Sequence, residues 1–143
     1  MNVPFLTFEQ EELVIAAIRK AEKETSGEIR VHIETSSKKA SMERAIEVFN
    51  DLKIDDTKER NGVLFYICTT TKAFAILGDK GINDVVSENF WDVTKDKIIL
   101  QFKKGEFTQG LIDGIEEAGK QLKTYFEHKE DDKNELPDTI SKN

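Results

Sequence analysis

The stretch GVLFYIC, residues 62–68, is continuously apolar and constrains the fold more than any other part of this sequence. Valine, phenylalanine, tyrosine and isoleucine favour strands, and a strand without polar positions is typical of a sheet that is covered on both faces. The polar residues DDTKERN, 55–61, lead directly into it. The sequence therefore predicts a central buried strand with a charged loop at its start.

Two more strands and a helix are predicted around this central strand. In EIRVHIET, residues 28–35, apolar and polar residues alternate, which predicts a strand with one buried face. Residues 41–52 carry apolar side chains at helical spacing, and AFAILG, 73–78, indicates a third strand after a short connection. Strand, helix and strand form a βαβ unit with parallel strands, and the short connection forms an antiparallel hairpin. These elements predict an α/β fold with a small mixed sheet.

Helices are predicted before and after this unit in the chain. Thr7 and Gln10 fit a capping box at the start of an N-terminal helix. After the third strand, residues 83–105 have irregular helical periodicity, while residues 111–122 form a regular apolar stripe whose helix ends near Phe126. The remaining residues, EHKEDDKNELPDTISKN, have little apolar content. We therefore expect one domain over residues 1–126 and an acidic, mobile tail over residues 127–143.

The overall charge restricts the class of partner. The formal net charge is −7, from 28 acidic and 21 basic residues, which disfavours a nucleic acid or an anionic membrane and favours cations. The only cysteine, Cys68, cannot form an internal disulfide, so a cytoplasmic location is expected. No stretch approaches the roughly 18 to 20 apolar residues of a membrane span, so the chain is expected to be soluble.

Chain direction places three polar segments at one edge of the predicted sheet. They are SGE before the strand at 28–35, DDTKERNG before the central strand, and GDKG after the third strand. Several carboxylate oxygens can together replace the hydration shell of a hard cation such as Ca²⁺ or Mg²⁺. The candidate metal ligands are Glu28, Asp56, Asp79 and Asp84, with Asp55 beside them. Arg60 and Asn61 are candidates for orienting a loop or facing an anionic ligand.

Each of these residues also has a purely structural interpretation. Asp56 can be a turn residue, Asp84 can cap a helix, and Glu28 can form an ion pair in solvent. His32 is interpreted as forming a structural hydrogen bond, and Cys68 as a small buried residue. With two histidines and one cysteine in the chain, a transition metal is less favoured than Ca²⁺ or Mg²⁺.

Five segments within residues 8–126 form a recognisable series, in chain order AEKETSGEIRVHIE, ERNGVLFYI, FAILGDKGIN, NFWDVTKDKI and FKKGEFTQGLIDGI. Together they resemble the TPM domain family, and its short soluble bacterial members in particular. The resemblance implies a three-layer α/β/α sandwich around a mixed sheet. It also implies binding of a divalent cation, chiefly Ca²⁺. A phosphatase activity is a second implication, since the family's phosphatase label comes from a plant chloroplast member with acid phosphatase activity.

The resemblance reaches some of the candidate residues and not others. Glu28 in SGEI, the RNG turn at 60–62 and Asp79 in GDKGI match family motifs. Asp55 and Asp56 do not match, since family members vary there.

Three functions are consistent with these observations. We prefer a non-catalytic or accessory domain in which a divalent cation ties the strand-end loops together. The first alternative is a metal-dependent, acid phosphatase-like hydrolase, in which the cation polarises the phosphoryl group and Arg60 stabilises negative charge. It ranks second because the sequence shows no obvious nucleophile. The other alternative is an interaction module whose C-terminal tail folds onto a protein partner or back onto the domain.

Overall fold

The structure is a computed structural model that describes residues 5–128 and 135–142. Its helices and strands are α1 (Phe8–Glu22), β1 (Glu28–Glu34), α2 (Ser41–Asp51), β2 (Gly62–Cys68), β3 (Ala73–Gly78), α3 (Lys80–Asn83), α4 (Asp92–Lys103), α5 (Phe107–Lys123) and β4 (Ser141–Lys142). Within these described ranges, no helix is both long enough and apolar enough to cross a bilayer.

The strands form one mixed sheet in the order β3-β2-β1-β4. β1 is parallel to β2 and to β4, whereas β2 and β3 are antiparallel. The predicted α/β fold, with a βαβ unit and a hairpin, is confirmed. Strand β4 comes from the segment for which the sequence predicts a mobile tail, so these residues belong to the sheet.

Helices cover both faces of the sheet and create two hydrophobic clusters. Helices α1, α4 and α5 pack on one face, where Ile18, Val63 and Ile115 are fully buried. Helix α2 packs on the other face, where Phe49 and Tyr66 belong to the second cluster. All residues of the central strand β2 are buried, as its continuous apolar run predicts.

The N-terminal helix begins as its sequence predicts. The Oγ1 atom of Thr7 accepts a hydrogen bond from the N–H of Gln10 at 3.1 Å, and Oε1 of Gln10 accepts from the N–H of Thr7 at 2.8 Å. This capping box satisfies two of the N–H groups that have no partner inside a helix.

Strand β1 differs from the expectation of one buried face, because all seven of its residues are buried. The polar side chains of Arg30, His32 and Glu34 are at most 9% exposed. The C-terminal segment and α2 contact these side chains. Both faces of β1 are therefore buried, one among apolar side chains and the other among polar contacts. The prediction of a solvent-facing side for β1 is therefore wrong.

Candidate functional site

The start of β1, the start of β2 and the end of β3 meet at one edge of the sheet, which we call the strand-end edge. Glu28 is in register with Gly62. The N–H of Glu28 donates to the carbonyl of Asn61 at 3.3 Å, and the N–H of Asp79 donates to the carbonyl of Gly62 at 2.9 Å. The three predicted loops are therefore neighbours, because the topology places them at the same end of adjacent strands.

Asp79 lies at the strand-end edge and is 5% exposed. Arg60 holds it through two hydrogen bonds, from Nε to Oδ2 at 2.7 Å and from Nη2 to Oδ1 at 3.0 Å. Oδ1 also accepts the N–H of Lys80 at 2.7 Å and so caps α3. Both carboxylate oxygens of Asp79 are thus engaged by the chain itself, and Arg60 orients this carboxylate.

Asn61 is 1% exposed and connects two loops of this edge. Its N–H donates to Oγ1 of Thr57 at 3.2 Å, within the loop that leads to β2. Its Nδ2 donates to Oγ of Ser26 at 3.2 Å, in the loop before β1. A buried amide with these partners fixes the two loops relative to each other.

Asp56 and Asp84 face solvent. The Oδ2 atom of Asp84 accepts a hydrogen bond from Nζ of Lys80 at 2.7 Å, with the Asp84 side chain 57% exposed. Asp56 occupies a turn, where its N–H donates to the carbonyl of Lys53 at 3.0 Å. In the part of the chain that the structure describes, no three His, Cys, Asp or Glu side chains are arranged to hold a metal ion.

Glu28 belongs to a group of acidic side chains that joins the domain to the C-terminal segment. We define the carboxyl cluster as Glu22, Glu28, Glu135 and Asp138. Oε1 of Glu28 accepts the N–H of Glu135 at 2.5 Å. Burial raises the pKa of Glu28, the hydrogen bonds from the Glu135 N–H and from Glu22 lower it in part, and the charges of Glu135 and Asp138 raise it. Burial also raises the pKa of Glu22 to about 10, and hydrogen bonding to Asp138 and Glu28 acts in the same direction.

This cluster predicts that stability falls as pH rises. The pKa of Glu22 increases on folding from its ordinary value of 4.5 to about 10, so the folded state holds the proton more tightly than the unfolded state. The stabilisation is complete below pH 4.5 and is lost as the pH rises toward 10. Because Glu22 is partly exposed to water, we expect the free energy of unfolding to decrease by about 1 to 2 kcal/mol between roughly pH 5 and 9. Urea denaturation at a series of pH values measures this decrease.

Glu22→Gln isolates the contribution of this group, because glutamine imitates the neutral carboxyl at every pH. The pH dependence should flatten in this variant, and the variant should be more stable than the wild type above about pH 8. Glu12→Gln, at an exposed position of the same helix, is the matched control and should leave the slope unchanged. A slope that is equal in the wild type and in Glu22→Gln contradicts the prediction.

The C-terminal segment, residues 135–142, lies along β1. Nη1 of Arg30 donates to the carbonyls of Pro137 at 3.2 Å and Thr139 at 3.0 Å. Nδ1 of His32 lies 3.0 Å from Oγ of Ser141, which precedes the end of the described chain by one residue. Sequence reasoning did not identify these contacts. The available signal was the row of polar residues at alternate positions of β1, beside a strand with no polar residue.

Glu34, at the other end of β1, accepts hydrogen bonds inside the fold and was not predicted as important. Its Oε2 atom accepts from the hydroxyl of Tyr66 at 2.5 Å and from Nε of Arg44 at 2.9 Å. Its Oε1 lies 3.1 Å from Nε2 of His32. Burial raises the pKa of Tyr66, and the bond to Glu34 raises it further. These contacts join β1, β2 and α2, so Glu34 has a structural role.

The fold and this edge define the class of protein: a small α/β sandwich domain whose strand-end loops are joined by buried polar contacts. The sequence model of the TPM domain matches residues 2–121. The chain therefore belongs to the TPM domain family, which confirms the resemblance of its motifs.

Solved structures have the same fold. The NMR structure of the BA42 protein from the psychrophilic bacterium Bizionia argentinensis matches with a TM-score of 0.95 and 57% identity, covering 100% of this chain and 99% of that one. The N-terminal domain of a P. gingivalis protein matches with a TM-score of 0.71 and 16% identity, covering 87% of this chain and 82% of that one. The N-terminal domain of the cg2496 protein from Corynebacterium glutamicum matches with a TM-score of 0.64 and 8% identity, covering 94% of this chain and 79% of that one. No curated protein matches the chain.

Proposed function

We propose that this chain is a non-catalytic, accessory TPM domain that binds a divalent cation, Ca²⁺ or Mg²⁺, at the strand-end edge through Glu28. The observation that carries this proposal is the carboxyl cluster. Burial raises the pKa of both Glu22 and Glu28, and Asp138 of the C-terminal segment acts in the same direction on both. Closely spaced carboxyls that hold protons in this way are stabilised when a cation takes the place of those protons.

The chemistry of these residues fits a hard cation, whereas their present arrangement requires adjustment. Carboxylate oxygens are the preferred ligands of Ca²⁺ and Mg²⁺. Since no three acidic side chains within residues 5–128 and 135–142 surround one point, binding involves a rotation of side chains in the cluster. Asp79 contributes an oxygen only if Arg60 releases it. Asp56 and Asp84 are exposed and would have to move toward the cation, so we place the ion nearest to Glu28.

Addition of Ca²⁺ is expected to stabilise the protein. At ten times the dissociation constant, a ligand that binds only the folded state adds about 1.4 kcal/mol to the free energy of unfolding. Because the cation displaces protons, the effect should be larger at pH 8 than at pH 6. Thermal denaturation with EDTA, with millimolar Ca²⁺ and with millimolar Mg²⁺ measures it.

Two variants locate the ion. Glu28→Gln removes the charge from the cluster and should abolish the Ca²⁺-dependent shift, while Asp84→Asn, at an exposed position of the same edge, should retain it. A melting temperature that does not respond to millimolar Ca²⁺ or Mg²⁺ contradicts the proposal. A shift that persists in Glu28→Gln places the cation elsewhere.

The phosphatase alternative stays a prediction, because no particular contact favours it. Arg60, which would stabilise the charge of a phosphoryl group, is paired with Asp79. The cytoplasmic location that the composition predicts is likewise a proposal.

A further inference from the structure

The C-terminal segment fills a groove along the outer edge of β1, which we call the β1 groove. Glu28, Arg30 and His32 point to the same side of the strand, because alternate residues share a face. In the same order, these residues contact Glu135, then Pro137 and Thr139, then Ser141. The segment therefore runs parallel to β1, as the pairing of β4 also requires.

The contacts of Glu28 and Arg30 are directed at the main chain of the segment, whereas four of its residues also make polar contacts with the domain through their side chains: Glu135, Asp138, Ser141 and Lys142. Glu28 accepts a backbone N–H, and Arg30 donates to two backbone carbonyls. Leu136 is the residue of the segment that enters the second hydrophobic cluster, where it is 6% exposed. Main-chain contacts do not depend on residue type, so another extended segment with an apolar residue in the place of Leu136 can make them.

The segment leaves part of the groove unused. β1 has seven residues, and β4 pairs with two of them, His32 and Ile33. Arg30 is only 9% exposed, and its buried Nε atom has no hydrogen-bond acceptor among the described residues. A buried donor without an acceptor is costly, so a segment that supplies the acceptor gains a contact. Nearer the start of β1, the N–H of Ile29 donates to Oε2 of Glu22 at 2.9 Å, so a longer partner strand would replace that side chain as the acceptor. A different segment can therefore bind with contacts that the C-terminal segment lacks.

From these contacts, we propose that the β1 groove is a binding site for an extended segment of another protein and that residues 135–142 occupy it as an internal competitor. The partner segment adds a strand parallel to β1, carries an apolar residue at the place of Leu136 and provides an acceptor for Nε of Arg30. This proposal does not depend on cation binding.

A second copy of this chain is a weaker competitor for the groove than another protein. Its C-terminal segment makes the same contacts as the internal one and no additional contact. The internal segment is covalently attached, which gives it an effective concentration in the millimolar range. A foreign segment with additional hydrogen bonds can displace it, whereas an identical segment from another copy has no such advantage.

The test opens the groove in the full-length chain. Leu136→Asp places a charge in an apolar pocket and should release the segment while the domain stays folded. The probe is a fluorescent peptide with the sequence of residues 135–142, ELPDTISK. Its affinity for Leu136→Asp should exceed its affinity for the wild type by about tenfold or more, since the internal competitor reduces the competent fraction in the wild type. Ile140 of the segment packs against the other hydrophobic cluster, so the double variant Leu136→Asp, Ile140→Asp should release the segment more completely.

Two control variants and a peptide selection test whether binding occurs in the β1 groove. Leu100→Asp makes the same change at a position on α4 that is 56% exposed, and it should bind the peptide no better than the wild type. Arg30→Met in the opened chain should weaken binding at least about tenfold, because the two bonds to main-chain carbonyls are lost. Random octapeptides displayed against the opened chain should be enriched in an apolar second residue, and the enriched peptides should compete with the probe.

Several outcomes overturn the proposal. One is an opened, folded chain that binds neither the probe nor any displayed peptide. Another is binding that Arg30→Met leaves unchanged, because the site would then lie outside the β1 groove. A dimer of the wild type with exchanged C-terminal segments, detected by light scattering, would assign the groove to a second copy.

Discussion

Replacing Glu34 with alanine is expected to destabilise the protein by about 3 to 5 kcal/mol, the cost of removing one member of a buried charged group. The Glu34 side chain is 2% exposed and accepts three hydrogen bonds from the guanidinium of Arg44, two from Nε and one from Nη2. It also accepts a hydrogen bond from the hydroxyl of Tyr66, a residue that is 0% exposed. Without the carboxylate, the buried hydroxyl of Tyr66 loses its acceptor. The guanidinium of Arg44, whose side chain is 20% exposed, is left with the more exposed Glu47 as its counterion. Urea denaturation measures the difference.

Glu47→Ala provides the matched control. Glu47 also pairs with Arg44, at 3.2 Å, but its side chain is 38% exposed, so its loss should cost less than about 1 kcal/mol. A double-mutant cycle of Glu34→Ala with Arg44→Ala should show strong coupling between the two positions. Equal costs for Glu34→Ala and Glu47→Ala would mean that burial of Glu34 is not important for stability.

Gly81→Ala is the second substitution with a large expected effect, about 3 kcal/mol of lost stability. A Cβ atom at position 81 would lie 2.2 Å from the carbonyl oxygen of Glu59 and 2.6 Å from that of Arg60. These atoms belong to the backbone, so no change of rotamer relieves the overlap, and α3 must move away from the loop. The N–H of Gly81 donates to the carbonyl of Arg60 at 2.8 Å, and this bond should be lost as well. Thermal and urea denaturation measure the cost.

A second glycine separates this close contact from the general cost of replacing glycine. Gly105 has a φ of +78°, and a Cβ atom there would have no neighbour within 4 Å. Asparagine tolerates this left-handed conformation, so Gly105→Asn should change stability by less than about 1 kcal/mol. In Gly81→Ala, NMR signals of the Arg60 guanidinium should also show whether its pair with Asp79 persists. A Gly81→Ala protein as stable as the wild type contradicts the close approach of α3 to the loop.

The course of the chain through the sheet could be predicted because its signals are local. The apolar run at 62–68 indicates a buried strand, and the short connection to 73–78 indicates an antiparallel neighbour. Given one parallel and one antiparallel pairing, the positions of Glu28 and Asp79 at the same edge follow from chain direction alone. No knowledge of side-chain packing is required for that conclusion.

The contacts of the acidic residues could not be predicted in this way. Asp79 binds Arg60, and Glu28 binds the backbone of Glu135, 107 residues later in the chain. Asp56 and Asp84 have similar local sequence signals to Asp79, yet they are exposed. Which carboxylate becomes buried depends on what packs above it, and spacing along the chain carries no information about that packing.

Periodicity and chain direction are therefore sufficient for the α/β class, the mixed sheet and the edge where its loops meet, because each depends on residues close together in sequence. The place of the C-terminal segment depends on packing. Its composition is that of a mobile tail, and Arg30 binds its main-chain carbonyls, which are the same for every residue type. Only the folded arrangement, in which β1 presents a row of buried polar side chains, provides partners for those groups.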